Sequence, residues 1–195
     1  MKNMKKIAII TSGHSRGSNF LAIHDYLKKQ AIPIEIEYLV AFDQTAPVVQ
    51  LAKERNIPIF FYEETDKKLN DFLIKTIKQN PVDLIVLAGF MRKLSRSFFL
   101  SINTPVVNIH PALLPKYGGK GMYGLNVHKA VFAAGEKVSG ATVHFVTENY
   151  DEGEIIYQKE CDISMCSSPE EIAKEVLKIE HEIYSRAICN LIYNC

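Results

Sequence analysis

Two polar side chains near the end of an apolar run are the residues best suited to chemistry. Asn108 and His110 alternate with Val107 and Ile109, and Pro111 follows. In an extended strand alternate side chains share a face, so an amide donor and a titratable imidazole should lie side by side. Proline ends the strand, and ligands of open α/β sheets bind beyond the carboxyl ends of strands. The pair therefore suits oxyanion stabilisation and proton transfer; alternatively, both side chains only satisfy backbone groups of a turn.

Strand-like and helix-like segments alternate around this pair. The predicted strands cover 6–11, 34–42, 57–61, 83–90, 106–110, 140–147 and 155–157. The predicted helices cover 19–28, 46–55, 67–79, 95–100, 125–134 and a segment that begins at 168. This βαβ rhythm predicts an α/β fold, with a doubly wound, mostly parallel, Rossmann-like sheet and helices on both faces. Because no linker or repeat interrupts it, we expect a single domain over 1–195.

The composition limits the classes of partner. The 195 residues are 47% hydrophobic and 23% charged, which is ordinary for a globular domain. A net charge of +1 lacks the basic excess that binding to nucleic acid requires. The segment 1–6 is basic but does not lead into the apolar region of a signal peptide. We therefore expect no nucleic acid or membrane partner and a cytoplasmic protein.

A loop rich in small residues joins the first predicted strand to the first predicted helix. It runs from Ser12 to Asn19 and includes Gly13 and Gly17. Backbone amides of such a loop can approach an anion at the positive end of a helix, and phosphate is the natural ligand. The loop has neither a dinucleotide fingerprint nor a Gly-Lys-Ser/Thr sequence, so a nicotinamide cofactor or nucleoside triphosphate is not indicated. Alternatively, the glycines only cap the helix.

The four cysteines form no recognisable metal or redox motif. They are Cys161, Cys166, Cys189 and Cys195, without a CxxC pair or metal-ligand spacing. We expect free thiols with packing roles.

The segment from Asn108 to Pro115 matches the pattern N-I-H-P-x-L-L-P and resembles the catalytic strand of the folate-dependent formyltransferases. Four further segments are similar to the phosphoribosylglycinamide formyltransferases of that superfamily. They are Gly17-Ser18-Asn19, Leu87 to Leu94, Thr142 to Thr147 with Asp151-Glu152-Gly153, and Glu180 to Tyr184. Together these segments span most of the chain.

The resemblance implies transfer of the formyl group of 10-formyltetrahydrofolate to the amine of 5-phosphoribosylglycinamide, in de novo purine biosynthesis. It implies no metal and a monomer or homodimer. The implied catalytic residues are Asn108, His110 and Asp151. The implied substrate-binding residues are Gly17, Ser18 and Asn19 for the phosphate and Glu180 for the glycinamide. The implied folate-binding residues are Leu87, Met91, Arg92, Lys93, Leu94 and Asn108. The family's turn also implies a cis peptide between Leu114 and Pro115.

Three segments depart from the family pattern. The residues His14-Ser15-Arg16 lengthen the first loop, and the segment from Tyr117 to His128 is longer and rich in glycine. Thr65-Asp66-Lys67-Lys68 replaces a Ser-Arg-Glu stretch whose arginine binds substrate in many members. Arg16 or Lys67 is therefore a candidate for the missing positive charge.

Three other histidines have less specific settings. His128 on its predicted helix suits a partly exposed packing or capping role as well as a ligand role. For His144 and His181 we favour structural or supporting roles over catalysis.

Two other functions fit parts of the pattern. A non-catalytic module that binds phosphosugar or folate would not need Asn108, His110 and Asp151 together. A hydrolase that releases formate from the same folate would have no use for the phosphate loop or for Glu180.

Overall fold

The computed structural model describes residues 3–63 and 68–193 and contains seven strands in one sheet. The strands are β1 (Lys5–Ile10), β2 (Ile34–Ala41), β3 (Ile59–Phe61), β4 (Leu84–Leu87), β5 (Val106–His110), β6 (Val138–Phe145) and β7 (Ile155–Asp162). The helices are α1 (Ser18–Lys29), α2 (Pro47–Glu54), α3 (Leu69–Gln79), α4 (Arg96–Ser101), α5 (Leu125–Ala133) and α6 (Pro169–Tyr193). The predicted α/β class is confirmed.

Strand β7 is longer than predicted. The sequence indicated a strand only over 155–157, but pairing with β6 continues to Asp162. The polar residues Gln158, Lys159 and Glu160 hid this extension, because hydrophobic periodicity is weak in a strand at the edge of a sheet. The predicted start of α3 at Lys67 lies outside the described residues.

The strand order β3-β2-β1-β4-β5-β6-β7 creates a switch point between β1 and β4. The chain moves outward from β1 through β2 to β3 and then crosses back to begin β4 on the other side of β1. The pairs β1–β2, β1–β4 and β4–β5 are parallel, whereas β6 pairs antiparallel with both neighbours. Ligands of such sheets bind beyond the carboxyl ends of the strands at this switch point.

Alternate residues of β1 pack into two separate cores. Ile7 and Ile9 belong to the core under α1, α2 and α6, whereas Ala8 and Ile10 belong to the core under α3 and α4. Each of these four side chains is fully buried. Helices therefore cover both faces of the sheet, as predicted, and hold the ends of β1, β4 and β5 in fixed positions.

Two local predictions have different outcomes. The peptide between Leu114 and Pro115 is cis, as predicted. The prediction of free thiols holds for Cys161 and Cys166 but is wrong for Cys189, which is disulfide-bonded. Such bonds depend on proximity in the fold, which the spacing of cysteines in a sequence does not reveal. Cys195 lies outside the described residues.

Within the described ranges, the helices lack the combination of length and apolar character that a bilayer crossing needs.

Gly17 begins α1 in a conformation that disfavours any other residue. Its φ is +78°, and an added Cβ would lie 2.9 Å from Cβ of Val48. We expect Gly17→Ala to lower the free energy of unfolding by roughly 2–4 kcal/mol, since left-handed strain adds to overpacking. Urea unfolding measures this loss.

Gly135→Ala is the matched control, because Gly135 has a φ of +67° but open space where a Cβ would lie. Its loss should be only about 1–2 kcal/mol, from backbone strain alone. Equal losses for the two variants would mean that Val48 does not restrict Gly17.

Candidate active site

A cavity of about 720 Å³ lies at the carboxyl ends of β1, β4 and β5. It brings together nearly all of the side chains that the sequence suggested for a site. The predicted residues in its wall are Ser18, Asn19, Leu87, Met91, Arg92, Lys93, Leu94, Asn108, His110, Asp151 and Glu180. Gly17 is the exception, because it is buried behind the wall against Val48 and Leu51.

The imidazole of His110 is held between two oxygen atoms. Its Nε2 donates to the backbone carbonyl of Tyr117 at 2.7 Å, and its Nδ1 lies 3.6 Å from Oδ2 of Asp151. Only 3% of the residue is exposed. Because both ring nitrogens face acceptors, the surroundings suit an imidazolium that carries a proton on each nitrogen.

The turn between β6 and β7 places Asp151 beside His110. The residue has a φ of +56°, and its Oδ2 accepts the backbone amide of Gly119 at 2.9 Å. An added Cβ on Gly118 would lie 2.6 Å from Leu114 and 3.2 Å from Cβ of Asp151, so the glycine allows a close approach. The glycine-rich segment thus fixes the carboxylate beside the imidazole.

Asn108 is oriented by His144, which lies opposite it on β6. The Asn108 Nδ2 lies 3.3 Å from Nε2 of His144, whose Nδ1 donates to the carbonyl of Phe145 at 2.9 Å. Burial lowers the pKa of His144, although the Phe145 carbonyl and Asp151 oppose this effect. A neutral His144 therefore accepts one Nδ2 proton of Asn108 and leaves the second for a ligand. His144 Nε2 also lies 3.6 Å from Asp151 Oδ1.

The structure corrects the interpretation of His128 as a partly exposed residue. Only 5% of it is exposed, and it lines the cavity. Within the described part of the chain its Nδ1 has no hydrogen-bond partner. Burial, aided by the charge of His110, lowers the pKa of His128 to about 4. His128 is therefore neutral near pH 7. The other histidine without an assigned catalytic role, His181, is not among the residues that line the cavity.

The start of α1 and the side chain of Glu180 form the opposite part of the wall. The amides of Gly17, Ser18 and Asn19 form no hydrogen bond with any residue in 3–63 or 68–193. Asn19 Nδ2 donates to Oε2 of Glu180 at 2.8 Å. Burial raises the pKa of Glu180 to about 7, although the Asn19 bond opposes this. Free amides and a buried carboxyl are therefore adjacent.

The raised pKa of Glu180 predicts a pH-dependent effect of Glu180→Gln on stability. The folded protein holds the Glu180 proton up to about pH 7, whereas the unfolded chain loses it near the ordinary value of 4.5. The contribution of Glu180 therefore becomes less favourable as pH rises from 4.5 to 7. At pH 8 the variant should be more stable than wild type by up to about 3 kcal/mol.

Urea unfolding at pH 4.5 and pH 8 measures this difference between the two proteins. It should nearly disappear at pH 4.5, where the carboxyl is protonated in the folded state and about half protonated in the unfolded state. A difference independent of pH would show that Glu180 titrates normally.

The two predicted apolar walls of the folate segment have different settings. Leu94 is 2% exposed and belongs to the core, whereas Met91 is 49% exposed. The backbone amide of Met91 donates to Oγ of Ser12 at 2.8 Å, which joins the loops after β4 and β1. The sequence did not identify Ser12 as this link, because nothing in the first loop indicates a contact with residue 91.

Lys93 lies over the ring of Tyr150, with its Nζ 5.7 Å from the ring centroid. Both residues line the cavity, so this contact joins two of its edges.

In the described residues no group of three or more His, Cys, Asp or Glu side chains could hold a metal ion.

Comparisons with known proteins agree with this geometry. A family model described as "Formyl transferase" matches residues 5–188. The phosphoribosylglycinamide formyltransferase of Bacillus subtilis (strain 168) is 35% identical, over 97% of this chain and 95% of that protein. The chloroplastic phosphoribosylglycinamide formyltransferase of Vigna unguiculata is 36% identical over 94% of this chain. The chain spans only 60% of that plant relative's length.

Solved structures agree as well. Glycinamide ribonucleotide transformylase 1 from Symbiobacterium toebii has a TM-score of 0.87 at 28% identity, over 98% of this chain and 89% of that one. Phosphoribosylglycinamide formyltransferase from Coxiella burnetii has a TM-score of 0.83 at 34% identity, over 96% of this chain and 86% of that one. The chain therefore belongs to the formyl transferase family and, within it, to the phosphoribosylglycinamide formyltransferases.

Proposed function

We propose that this chain transfers the formyl group of 10-formyltetrahydrofolate to the amine of 5-phosphoribosylglycinamide in de novo purine biosynthesis. We propose further that one domain, residues 1–195, does so without a metal. The observation that carries the proposal is that Asn108, His110 and Asp151 all line one cavity, with His110 and Asp151 in contact. The free amides at the start of α1 and the carboxyl of Glu180 in the same wall support it, because the substrate has a phosphate and a glycinamide.

Formyl transfer needs donors for a developing negative charge. When the substrate amine attacks the formyl carbon, electrons move to the formyl oxygen and a tetrahedral oxyanion forms. The free Nδ2 proton of Asn108 and a proton on Nδ1 of His110 are the donors for this oxygen. Losing one such donor typically raises the barrier by roughly 3 kcal/mol. The bond between the formyl carbon and N10 of the folate then breaks as the carbonyl reforms.

The reaction also needs a proton to leave the amine and reach the departing folate nitrogen. Asp151 supplies the negative charge beside His110 and His144, at 3.6 Å from a ring nitrogen of each. Burial lowers the pKa of His144 and leaves it neutral. We therefore assign the proton transfer to His110, whose two ring nitrogens both face oxygen atoms. The pair of Asp151 and His110 thus carries the proton from the amine to the leaving group.

In this proposal the two substrates contact different parts of the cavity wall. The phosphate binds the amides of Gly17, Ser18 and Asn19, where the helix dipole favours an anion. Glu180 contacts the glycinamide. The folate lies along Leu87, Met91, Arg92, Lys93 and Leu94 with its formyl group towards Asn108. Gly17 is buried against Val48 and Leu51. We therefore assign it a second role, which is to shape the loop that carries the three amides.

A single assay tests the proposed function. The protein is incubated with 10-formyltetrahydrofolate with and without the glycinamide ribonucleotide, and formation of tetrahydrofolate is followed. Turnover that requires the nucleotide supports the transferase. Turnover without the nucleotide would identify a hydrolase, and no turnover in either mixture would leave only a binding module.

We propose small-molecule substrates and a cytoplasmic setting for this activity. The net charge of +1 supports small-molecule substrates, since it offers no basic excess for nucleic acid. The protein should be a monomer or a homodimer, which sedimentation at several concentrations would distinguish.

A further inference from the structure

The first loop presents an arginine to the cavity, and within the described residues this arginine has no partner. Arg16 is exposed and lines the wall beside Ser18 and Asn19. Among the residues in 3–63 and 68–193 it forms neither a hydrogen bond nor an ion pair. A guanidinium beside unused backbone amides is a binding element for an anion rather than a structural brace.

The backbone that carries Arg16 is held by its neighbours. His14 Nδ1 lies 2.7 Å from Oδ2 of Asp43, and the carbonyl of Ser15 accepts the amide of Val48 at 3.2 Å. Asp43 also accepts the amide of Thr45 at 2.8 Å. The carboxylate of Asp43 is therefore already occupied, and the loop is fixed against the start of α2.

Position along the chain limits the distance between Arg16 and the helix amides. Arg16 directly precedes Gly17, the N-cap of α1, and Ser18 is the first residue of the helix. Successive Cα atoms are about 3.8 Å apart, so the Cα atoms of Arg16 and Ser18 are separated by at most about 7.6 Å. An arginine side chain spans that distance. Its planar fork of donors also matches the oxygen atoms of a phosphate.

The other described cations that line the cavity are less suited to this position. Arg92 lies on the loop after β4 and already interacts with another group. Lys93 lies over the ring of Tyr150. Lys120 belongs to the glycine-rich segment. It directly follows Gly119, whose backbone amide donates to Asp151. Lys67 lies outside the described residues. Among the described residues that line the cavity, Arg16 is thus the cation nearest in sequence to the start of α1.

We propose that Arg16 binds the phosphate of the substrate together with the amides of α1, and that it makes the enzyme select the phosphorylated glycinamide over its riboside. This inference rests on the proposed function. It assigns the missing positive charge to the lengthened loop.

Steady-state kinetics of Arg16→Ala test the proposal. The KM for the glycinamide ribonucleotide should rise about tenfold to a hundredfold, because a charged hydrogen-bonding group is lost. The kcat and the KM for 10-formyltetrahydrofolate should change less than about twofold, since Arg16 does not contact the reacting atoms. With glycinamide riboside, which lacks the phosphate, wild type and variant should have the same kcat/KM.

Three further variants make the result specific. Arg16→Lys should retain part of the affinity, because it keeps the charge but loses the fork. Arg16→Gln keeps most of the aliphatic stem and repeats the test if Arg16→Ala is less stable. Lys29→Ala removes an equal charge from the exposed far end of α1 and should leave the KM unchanged.

The two possible failures are distinguishable. If wild type turns over the nucleotide but Arg16→Ala and Arg16→Gln match Lys29→Ala, the role of Arg16 is refuted while the proposed function stands. An equal loss with the nucleotide and with the riboside would also refute it, since the effect would not involve phosphate. If wild type does not turn over the nucleotide at all, the proposed function itself fails.

Discussion

Replacing Asp151 by asparagine should lower kcat by about 10²–10⁴, the usual contribution of a positioned acid or base. Asparagine has nearly the same shape, and its carbonyl can still accept the amide of Gly119. The change therefore removes mainly the negative charge beside His110 and His144. Without that charge, an imidazolium at His110 loses its counterion and the proton has no carrier from the amine. Stopped-flow or steady-state assays with saturating substrates measure the loss.

The effect of Asp151→Asn on folding should be small by comparison. Urea unfolding should show a loss of less than about 1.5 kcal/mol, because one hydrogen bond is retained in weaker form. Glu152→Gln is the matched control, since it removes an exposed carboxylate from the next position of the same turn. Near-normal turnover by purified Asp151→Asn would contradict the role proposed for this carboxylate.

Replacing His110 by alanine should lower kcat by about a thousandfold or more. The change removes both a donor to the formyl oxygen, worth roughly 3 kcal/mol, and the group that carries the proton. The KM for either substrate should change little, because the lost interactions form mainly in the transition state. Loss of the contact with the Tyr117 carbonyl should make the protein less stable by roughly 1–3 kcal/mol.

His24→Ala is the control for His110→Ala. His24 lies on α1 and contacts Asp25 and Arg55, away from the residues that line the cavity. Its turnover should equal that of wild type. If His110→Ala instead raised the KM with kcat unchanged, His110 would bind substrate without taking part in the chemistry.

Local periodicity accounts for the parts of the fold that the sequence predicted well. Strand β5 follows the predicted bounds, because Asn108 and His110 interrupt an otherwise apolar run at the spacing of a strand. The start of α4 is equally local, because the side chain of Ser95 accepts the amide of Phe98 three residues later. In both cases the determining contacts lie within a few residues.

Contacts between distant segments could not be obtained from periodicity. The approach of Asp151 to His110 was expected only from the resemblance to a family. The pairing of Asn108 with His144 depends on the register between β5 and β6, which no local pattern specifies. The burial of His128 depends on how α5 packs beside His110.

The packing around glycine-rich loops also has no local signal in the sequence. The sequence suggested amides for phosphate at Gly17, but it did not reveal that Val48 and Leu51 press against this residue. The anchoring of His14 by Asp43 joins an unusual loop to a residue that follows β2. Such side-chain pairs have no repeating signal in the sequence.

The fate of a labelled formyl carbon tests the central claim most directly. The protein is incubated with 10-formyltetrahydrofolate carrying ¹³C in the formyl group and with the glycinamide ribonucleotide, and the products are separated by mass spectrometry. We expect the label in the formylated nucleotide, in amounts equal to the tetrahydrofolate produced, and we expect Asp151→Asn to slow the formation of both by about 10²–10⁴. Label recovered as free formate, or an unlabelled nucleotide beside consumed folate, would contradict the assignment of Asn108, His110 and Asp151 to formyl transfer.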